Sequence, residues 1–306
     1  MKKIFLFFTI SLLFCNLVNS QEITIISKVD NEIITNLDIE MEKKYLLLLN
    51  ERLSNLDEKE FFKLAKNSLI REKIKNKEIN KSFKKRDEAF DDKIIENFYI
   101  RLGFEKKKDF VEFLNKKKIN FDNLQEKVII EAFWNQIIFI KYKNKIRIDK
   151  DSLERDIVNY YNSKDKKYEF NLSEIVIDIE KDINLKKEKI LKYIQEFGFK
   201  VAANKYSRSD TSKYGGEIGW IKSSRLTKKI EKQLSIIEVG EITDPIQTTN
   251  GYLLLKLNDK REIKEKLDLQ KELKQQVEFE KNRQLNRFSL IHYKKLKKNT
   301  TIYESK

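Results

Sequence analysis

Glycine and proline are confined almost entirely to one part of this 306-residue chain, and that part limits the folds open to it. Six of the seven glycines, and the only proline, Pro245, lie between residues 198 and 251. The densest group is Gly215, Gly216 and Gly219. Glycine adopts left-handed backbone conformations that strain other residues, so the sharpest turns are expected here. The regions on either side are expected to be mainly helical.

Length and charge place the chain among multi-domain globular proteins. Two domains are expected at 306 residues, and 40% hydrophobic residues are enough to build their cores. The formal net charge of +15 would also suit a nucleic-acid-binding protein, but the lysines are scattered and mixed with 49 acids. We therefore predict no nucleic-acid partner.

The N-terminus has the pattern of an export signal. Lys2 and Lys3 form a basic start, residues 4–18 are a nearly unbroken apolar run, and the small residue Ser20 follows. The run is about 15 residues long, shorter than the roughly 20 that a spanning helix needs. We predict that residues 1–20 are a cleavable signal peptide. The alternative is that they are retained as the anchor of a membrane-tethered scaffold.

The next part of the chain predicts a helical domain. A short extended entry with a turn at Asp30-Asn31 comes first. Apolar residues then recur three or four positions apart, which predicts amphipathic helices that must pack on one another. These five segments are residues 37–53, 58–77, 87–102, 107–117 and 122–143. Residues 146–148 suggest a short strand, and a further helix is expected to start at Asp149 or Asp151. We place this domain at residues 21–162.

Residues 168–262 change character and predict an α+β domain. Alternating and β-branched residues predict strands near 168–179, 217–222 and 242–248, and an apolar run at 252–257 predicts a central strand. Helices are expected between them, at 185–197, 199–206 and 227–236, and Asn250-Gly251 signals a hairpin turn. The expected result is helices packed on a small mixed sheet.

The last part, residues 263–306, predicts one long charged helix to about residue 293 and a short final strand at 300–303. The helix carries an apolar stripe, which would be a liability if it stayed exposed.

Few catalytic chemistries are open to this chain. It has one histidine, His292, and one cysteine, Cys15, which lies inside the predicted signal. A Ser-His-Asp triad or a zinc site therefore lacks its parts, and residues 215–219 do not fit a phosphate-binding loop. We predict no metal and no cofactor.

Four blocks in the glycine-rich part resemble a parvulin-type peptidyl-prolyl isomerase domain. They are Tyr206-Ser207, residues 215–220, residues 240–246 and residues 250–257, in the order and spacing of that family. The resemblance runs over about residues 168–262. It implies the parvulin fold and catalysis of prolyl isomerisation without a cofactor.

The segment from Val29 to Thr35 is similar to the start of SurA-like chaperones. With the parvulin-like blocks, it implies a multi-domain protein with an all-α N-terminal domain, completed by the C-terminal helix, plus the α+β parvulin-like domain. The resemblance further implies a periplasmic chaperone whose partners are unfolded polypeptides, in particular outer-membrane protein precursors.

The parvulin-type catalytic positions are altered in this chain. The family usually has two histidines and a Cys or Asp. By resemblance these positions fall on Glu174, Leu253 and Ser209, with Asp210 adjacent. A carboxylate beside a leucine cannot reproduce a histidine pair, so we expect weak or lost isomerase activity.

The substrate pocket keeps its apolar character. The family's Met and Phe positions fall on Leu226 and Ile230, and Tyr252 and Leu253 are expected to complete the pocket. Two functions therefore stay open from the sequence: a chaperone with a degenerate parvulin-type domain, and an active isomerase.

Overall fold

The computed structural model describes residues 22–83, 88–163, 166–179, 182–248, 251–264 and 267–304. The predicted signal peptide and Asn250 of the predicted turn lie outside these residues. Within the described ranges, no helix combines the length and the apolar character needed to span a bilayer.

The N-terminal domain opens with a hairpin, β1 (Ile25–Val29) and β2 (Glu32–Thr35), which turns at Asp30 as predicted. The described residues that follow form six α-helices, and Thr35 starts the first with a capping box that it shares with Asp38. These helices are α1 (Asn36–Leu49), α2 (Glu58–Ser82), α3 (Glu88–Arg101), α4 (Lys107–Lys116), α5 (Phe121–Tyr142) and α6 (Lys150–Asn162).

The strand predicted at residues 146–148 is wrong. These residues connect a short 3-10 turn to α6 without regular structure. The backbone N–H of Arg147 donates to the side chain of Gln284 at 3.1 Å, and the Gln284 amide donates back to the Arg147 carbonyl at 2.7 Å. A distant side chain thus satisfies the groups that a strand partner would bind.

The second domain alternates strands and helices as predicted. Its elements are β3 (Tyr168–Ile177), α7 (Ile183–Phe197), α8 (Phe199–Tyr206), β4 (Glu217–Lys222), α9 (Lys228–Ser235), β5 (Ile246–Thr248) and β6 (Gly251–Glu262). The strand order is β4-β3-β6-β5, so β6 is internal. Every pairing in this sheet is antiparallel, which corrects the expected mixed sheet.

The two faces of this sheet belong to different cores. Residues such as Ile175 and Leu254 share a core with α7, α8 and the buried faces of α1 and α2. Leu172, Leu255 and Leu257 on the opposite face pack with the region around α9. The alternation of side chains along a strand produces this division. One core is therefore continuous between the two domains.

The long helix α10 (Leu269–Lys298) contacts both domains. Near its start, Glu272 forms a buried ion pair with Lys222 of β4. Further along, Ser289 accepts a hydrogen bond at 2.9 Å from the indole N–H of Trp134 in α5. The final strand, β7 (Ile302–Glu304), pairs with β1 and completes a three-stranded sheet. The multi-domain architecture is as predicted, and this small sheet adds to the helical domain.

Candidate functional site

Glu174 lies on β3 and is the centre of a small polar cluster. Ser209 and Thr211, in the segment that follows α8, both donate hydroxyl hydrogen bonds to its Oε1 atom, at 2.6 Å and 2.9 Å. The glycine-rich segment brings them together, because the Glu174 N–H donates to the carbonyl of Gly216 at 2.7 Å. Gly216 has a φ of +80°, and a Cβ atom there would meet the Glu174 carbonyl oxygen at 2.3 Å. Only glycine fits this close approach.

The environment of Glu174 disfavours its charge. Burial raises the pKa of this carboxyl above its ordinary value. The hydrogen bonds from Ser209 and Thr211 act in the opposite direction, and the charge of Asp210 adds to the rise. A carboxyl of raised pKa takes up a proton more readily in mild acid and can then donate a hydrogen bond.

The apolar side of the site lies on the same face of the sheet. Leu255 is directly opposite Glu174, and Leu253 is opposite Val176, two pairs further along. Residues directly opposite one another across an antiparallel pair share a face. Leu253 therefore lies diagonally from the Glu174 carboxyl. Leu226 and Ile230 pack against the same core as Leu253.

Tyr252 does not join this group. It pairs with Ile177 and packs against the core on the opposite face of the sheet. Neighbouring residues on a strand point to opposite faces, so the side chain of Tyr252 lies on the other side of the sheet from that of Leu253. Of the four residues predicted to line the pocket, Leu226, Ile230 and Leu253 therefore pack against one core, and Tyr252 packs against the other.

Asp210 is also directed away from the Glu174 cluster. One of its carboxylate oxygens accepts from the ammonium of Lys75 at 3.2 Å, and the other accepts from the Ser289 hydroxyl at 3.1 Å. Lys75 belongs to α2 and Ser289 to α10. Asp210 thus connects the second domain to the first and to the C-terminal helix, and it is not available as a partner of Ser209.

The residues that hold Asp210 were not anticipated from the sequence. Lys75 is 1% exposed and also contacts Glu131 of α5 at 2.7 Å, and Glu131 pairs in addition with Lys213. In the sequence, Lys75 and Glu131 have the spacing of charged residues on the solvent-facing side of an amphipathic helix, so the pattern does not show that they are buried. Thr211 was missed as well, although its place two residues after Ser209 is the signal that could have identified it.

The sheet order, the helices on its faces and the polar cluster next to the glycine-rich segment define the class: a parvulin-type domain carried on a helical domain. Residues 175–259 match the Rotamase family, described as the PPIC-type PPIASE domain. This match and the similarities to SurA and PrsA proteins given below support the predicted resemblance to SurA-like chaperones with one parvulin-type domain.

Two kinds of curated relatives are similar to this chain. It is 29% identical over 154 residues to the chaperone SurA of Pseudomonas putida, covering 47% of this chain and 36% of the relative. It is 29% identical over 216 residues to foldase protein PrsA 3 of Bacillus cereus, covering 70% of this chain and 65% of the relative. The alignments thus span about a third to two thirds of these relatives.

Solved structures show more distant likenesses. One belongs to work on two structurally related SurA-like chaperones of Campylobacter jejuni; its TM-score is 0.38 at 16% identity, covering 92% of this chain and 99% of that one. Another is a PrsA peptidylprolyl isomerase of Bacillus anthracis, with a TM-score of 0.33 at 21% identity, covering 77% and 98%.

Proposed function

We propose that this protein is an exported folding chaperone that binds unfolded polypeptides, with a parvulin-type domain of weak or no isomerase activity. Its clients include outer-membrane protein precursors, whose strands are prone to aggregate before their barrels close. The similarity to SurA and PrsA proteins and the parvulin-type domain support a chaperone role. The signal-like N-terminus supports export to the periplasm.

The arrangement around Glu174 carries the proposal of weak activity. Prolyl isomerisation has a barrier of about 20 kcal/mol from amide resonance, and a catalyst must favour the twisted amide over the planar one. In this site one carboxyl receives two hydroxyl donors, Leu253 presents only an apolar side chain, and Asp210 is bound to Lys75. The cluster is internally satisfied and leaves few groups for a twisted amide.

The edge of the sheet offers a place for an extended client. β4 is the outer strand next to β3, so one of its sides has no strand partner in the described structure. Ile218 and Trp220 on this strand are 36% and 37% exposed. An exposed edge strand with large apolar side chains is a template for strand addition by an extended peptide.

An aggregation assay tests the chaperone proposal. A urea-unfolded outer-membrane barrel protein is diluted into buffer with an equimolar amount of this protein, and light scattering is followed. We expect clear suppression, reduced by Trp220→Ala because the aromatic surface is lost. Phe139→Ala, at an aromatic residue 39% exposed on the helix α5 and not on an edge strand, is the matched control and should behave as wild type. Scattering unchanged by the wild-type protein would reject the chaperone role.

The alternative function is a working isomerase. It is favoured by the 2.6 Å Ser209–Glu174 hydrogen bond on the same sheet face as Leu253, with Ile230 close to the same core. Proline-limited refolding of a model protein distinguishes the two. We expect no acceleration beyond the uncatalysed rate. Acceleration that disappears in Ile230→Ala, while aggregation suppression persists, would establish the enzyme instead.

Export is tested by sequencing the N-terminus of the protein isolated from cells. A start at Gln21 is expected if residues 1–20 are cleaved as predicted. Recovery of the uncleaved chain with the membrane fraction would favour the tethered scaffold.

A further inference from the structure

Two cavities meet at the junction of the domains. Their volumes are about 290 Å³ and 200 Å³, and Arg71, Arg208 and Tyr293 line both. These residues come from α2, from the segment after α8 and from α10. We call the combined space the junction cleft. It is separate from the Glu174 cluster, since neither cavity is lined by Glu174 or Ser209.

Two cations of the junction cleft have no acidic partner in the part of the chain that the structure describes. Arg71 is half-buried; its guanidinium reaches the Ser212 hydroxyl at 3.4 Å and lies 5.8 Å from the centre of the Tyr293 ring. Lys297 lies at the rim of the smaller cavity. Neither forms an ion pair with a described Asp or Glu, whereas most other lysines around the cleft do.

The other charges at the cleft are already engaged. Arg208 contacts Asp178 at 2.7 Å, and Lys294 shares the same carboxylate at 3.8 Å. Lys75 is held by Glu131 and Asp210. In the smaller cavity, Lys205 pairs with Glu60 and Lys213 with Glu131.

The cations of the cleft therefore outnumber the acids available to them. Loss of hydration, followed by the charges of Arg208 and Arg71, lowers the pKa of Lys297, and the charge of Asp178 opposes this shift without cancelling it. Like charges held close together in this way are relieved by a bound anion. The excess points to an anionic ligand.

The larger cavity adds an apolar wall to the basic rim. Val176, Ile177 and Ile291 line it, and the neighbouring Ile179 is 67% exposed. A small inorganic oxyanion would use the cations and leave this wall without a function. A peptide that carries a carboxylate beside an apolar side chain would use both.

We propose that the junction cleft binds a carboxylate of an extended polypeptide, with a neighbouring apolar side chain against Val176 and Ile291. The carboxylate is either an acidic side chain or a chain terminus, because both have the same chemistry. Arg71 and Lys297 bind it directly, and Arg208 is held in place by its backbone hydrogen bond to β3, at 2.8 Å to the Val176 carbonyl. The proposal rests on the chaperone function and names a feature of its clients.

The test uses three fluorescently labelled octapeptides rich in Ile and Val, and binding to the full-length protein is measured by anisotropy. One carries a central Asp and an amidated terminus, the second has Asn in its place, and the third has Asn and a free C-terminal carboxylate. At least one carboxylate peptide should bind about tenfold more tightly than the neutral one, because hydrogen bonds to charged groups are the strong ones. The peptide that gains this affinity identifies the source of the carboxylate.

Arg71→Gln and Lys297→Gln should each remove most of this preference. Lys298→Gln is the matched control, since it changes the same charge one residue along α10 without lining either cavity. Lys297 lies at the rim, so its variant tests the proposal even if Arg71→Gln folds poorly. Equal binding of acidic and neutral peptides, or equal effects of Lys297→Gln and Lys298→Gln, would overturn the proposal. Displacement of the acidic peptide by inorganic phosphate at low millimolar concentration would also overturn the proposal, because it would show that the cleft binds a small oxyanion.

The same variants in the aggregation assay separate the two proposals. If wild-type protein suppresses aggregation but shows no preference for carboxylates, only the cleft proposal fails. If suppression itself is absent, the chaperone proposal fails first.

Discussion

The buried ion cluster between the domains gives the sharpest test of how this chain is held together. Glu131 in α5 accepts from Lys75 at 2.7 Å and also pairs with Lys213, so one carboxylate serves both domains. Lys75 is 1% exposed and Lys213 is 13% exposed. The substitution Glu131→Gln keeps the volume of the side chain and removes its charge. It leaves two lysine ammonium groups in a largely dry junction with one fewer acid.

The expected loss follows from these contacts. Removing one partner from a buried ion pair typically costs about 3–5 kcal/mol, because the remaining charge is left without compensation. The lower end of this range applies here, because Lys75 still forms its ion pair with Asp210 at 3.2 Å and the oxygen of the introduced Gln can still accept one hydrogen bond. We expect Glu131→Gln to lower the free energy of unfolding by about 3 kcal/mol at pH 7.

The pH dependence gives a second signature of the same group. Burial opposes the ionisation of Glu131, but Lys213 and Lys75 outweigh it and hold the pKa of Glu131 well below its ordinary value of 4.5. The stability from this group is therefore present above about pH 4.5 and is lost as the pH falls toward the folded-state pKa. Gln takes up no proton in that range. The difference in stability between wild type and Glu131→Gln should accordingly narrow in acid.

Urea unfolding followed by tryptophan fluorescence measures both the loss of stability at pH 7 and its pH dependence. Trp134 reports on the cluster because the Lys75 ammonium lies 5.2 Å from the centre of the Trp134 ring. Glu112→Gln is the control, since Glu112 is 57% exposed and forms only a loose pair with Lys108 at 3.9 Å. Such surface pairs contribute about 0–1 kcal/mol, so the control should stay close to wild type. A Glu131→Gln variant as stable as the control at pH 7 would refute the role assigned to the cluster.

Two further predictions concern the glycine-rich segment and the only histidine. Gly216→Ala should destabilise the fold by more than about 2 kcal/mol, because a positive φ is strained for alanine and its Cβ would meet the Glu174 carbonyl at 2.3 Å. Gly219→Ala, at φ +86° with open space around it, isolates the strain alone and should cost about 1–2 kcal/mol in thermal unfolding. Burial, and then the charge of Lys141, lower the pKa of His292. The stability that neutral His292 contributes is therefore present above about pH 6.5 and is lost as the pH falls through the pKa of His292 in the folded state. His292→Gln should therefore flatten the stability profile between pH 7 and pH 5, and an unchanged slope in denaturant titrations would contradict this.

The spacing of the parvulin-like blocks predicted one side-chain contact of the candidate site correctly and did not predict another. The spacing placed Glu174 and Ser209 at corresponding positions of the family, and the structure brings their side chains within 2.6 Å. It also placed Asp210 next to Ser209, but the chain at this point turns the Asp210 carboxylate toward Lys75. Adjacency in sequence does not specify the direction of a side chain in an irregular segment, where no fixed period applies. For Tyr252 a fixed period does apply, because alternation along the strand places its side chain on the opposite face of the sheet from Leu253.

The sequence by itself determined the local elements of this protein and their order. Helical periodicity and the capping residue Asp149 are short-range signals, and the corresponding helices begin close to where they were predicted. Only the tertiary structure decided how the domains meet. The contacts of Asp210 with Lys75 and Ser289 join residues 135 and 79 positions apart, and nothing in the local pattern of a charged helix distinguishes a lysine that faces water from one buried between domains. Pairing of distant charges depends on the packing of whole helices, so the junction cleft could be recognised only once those helices were in place.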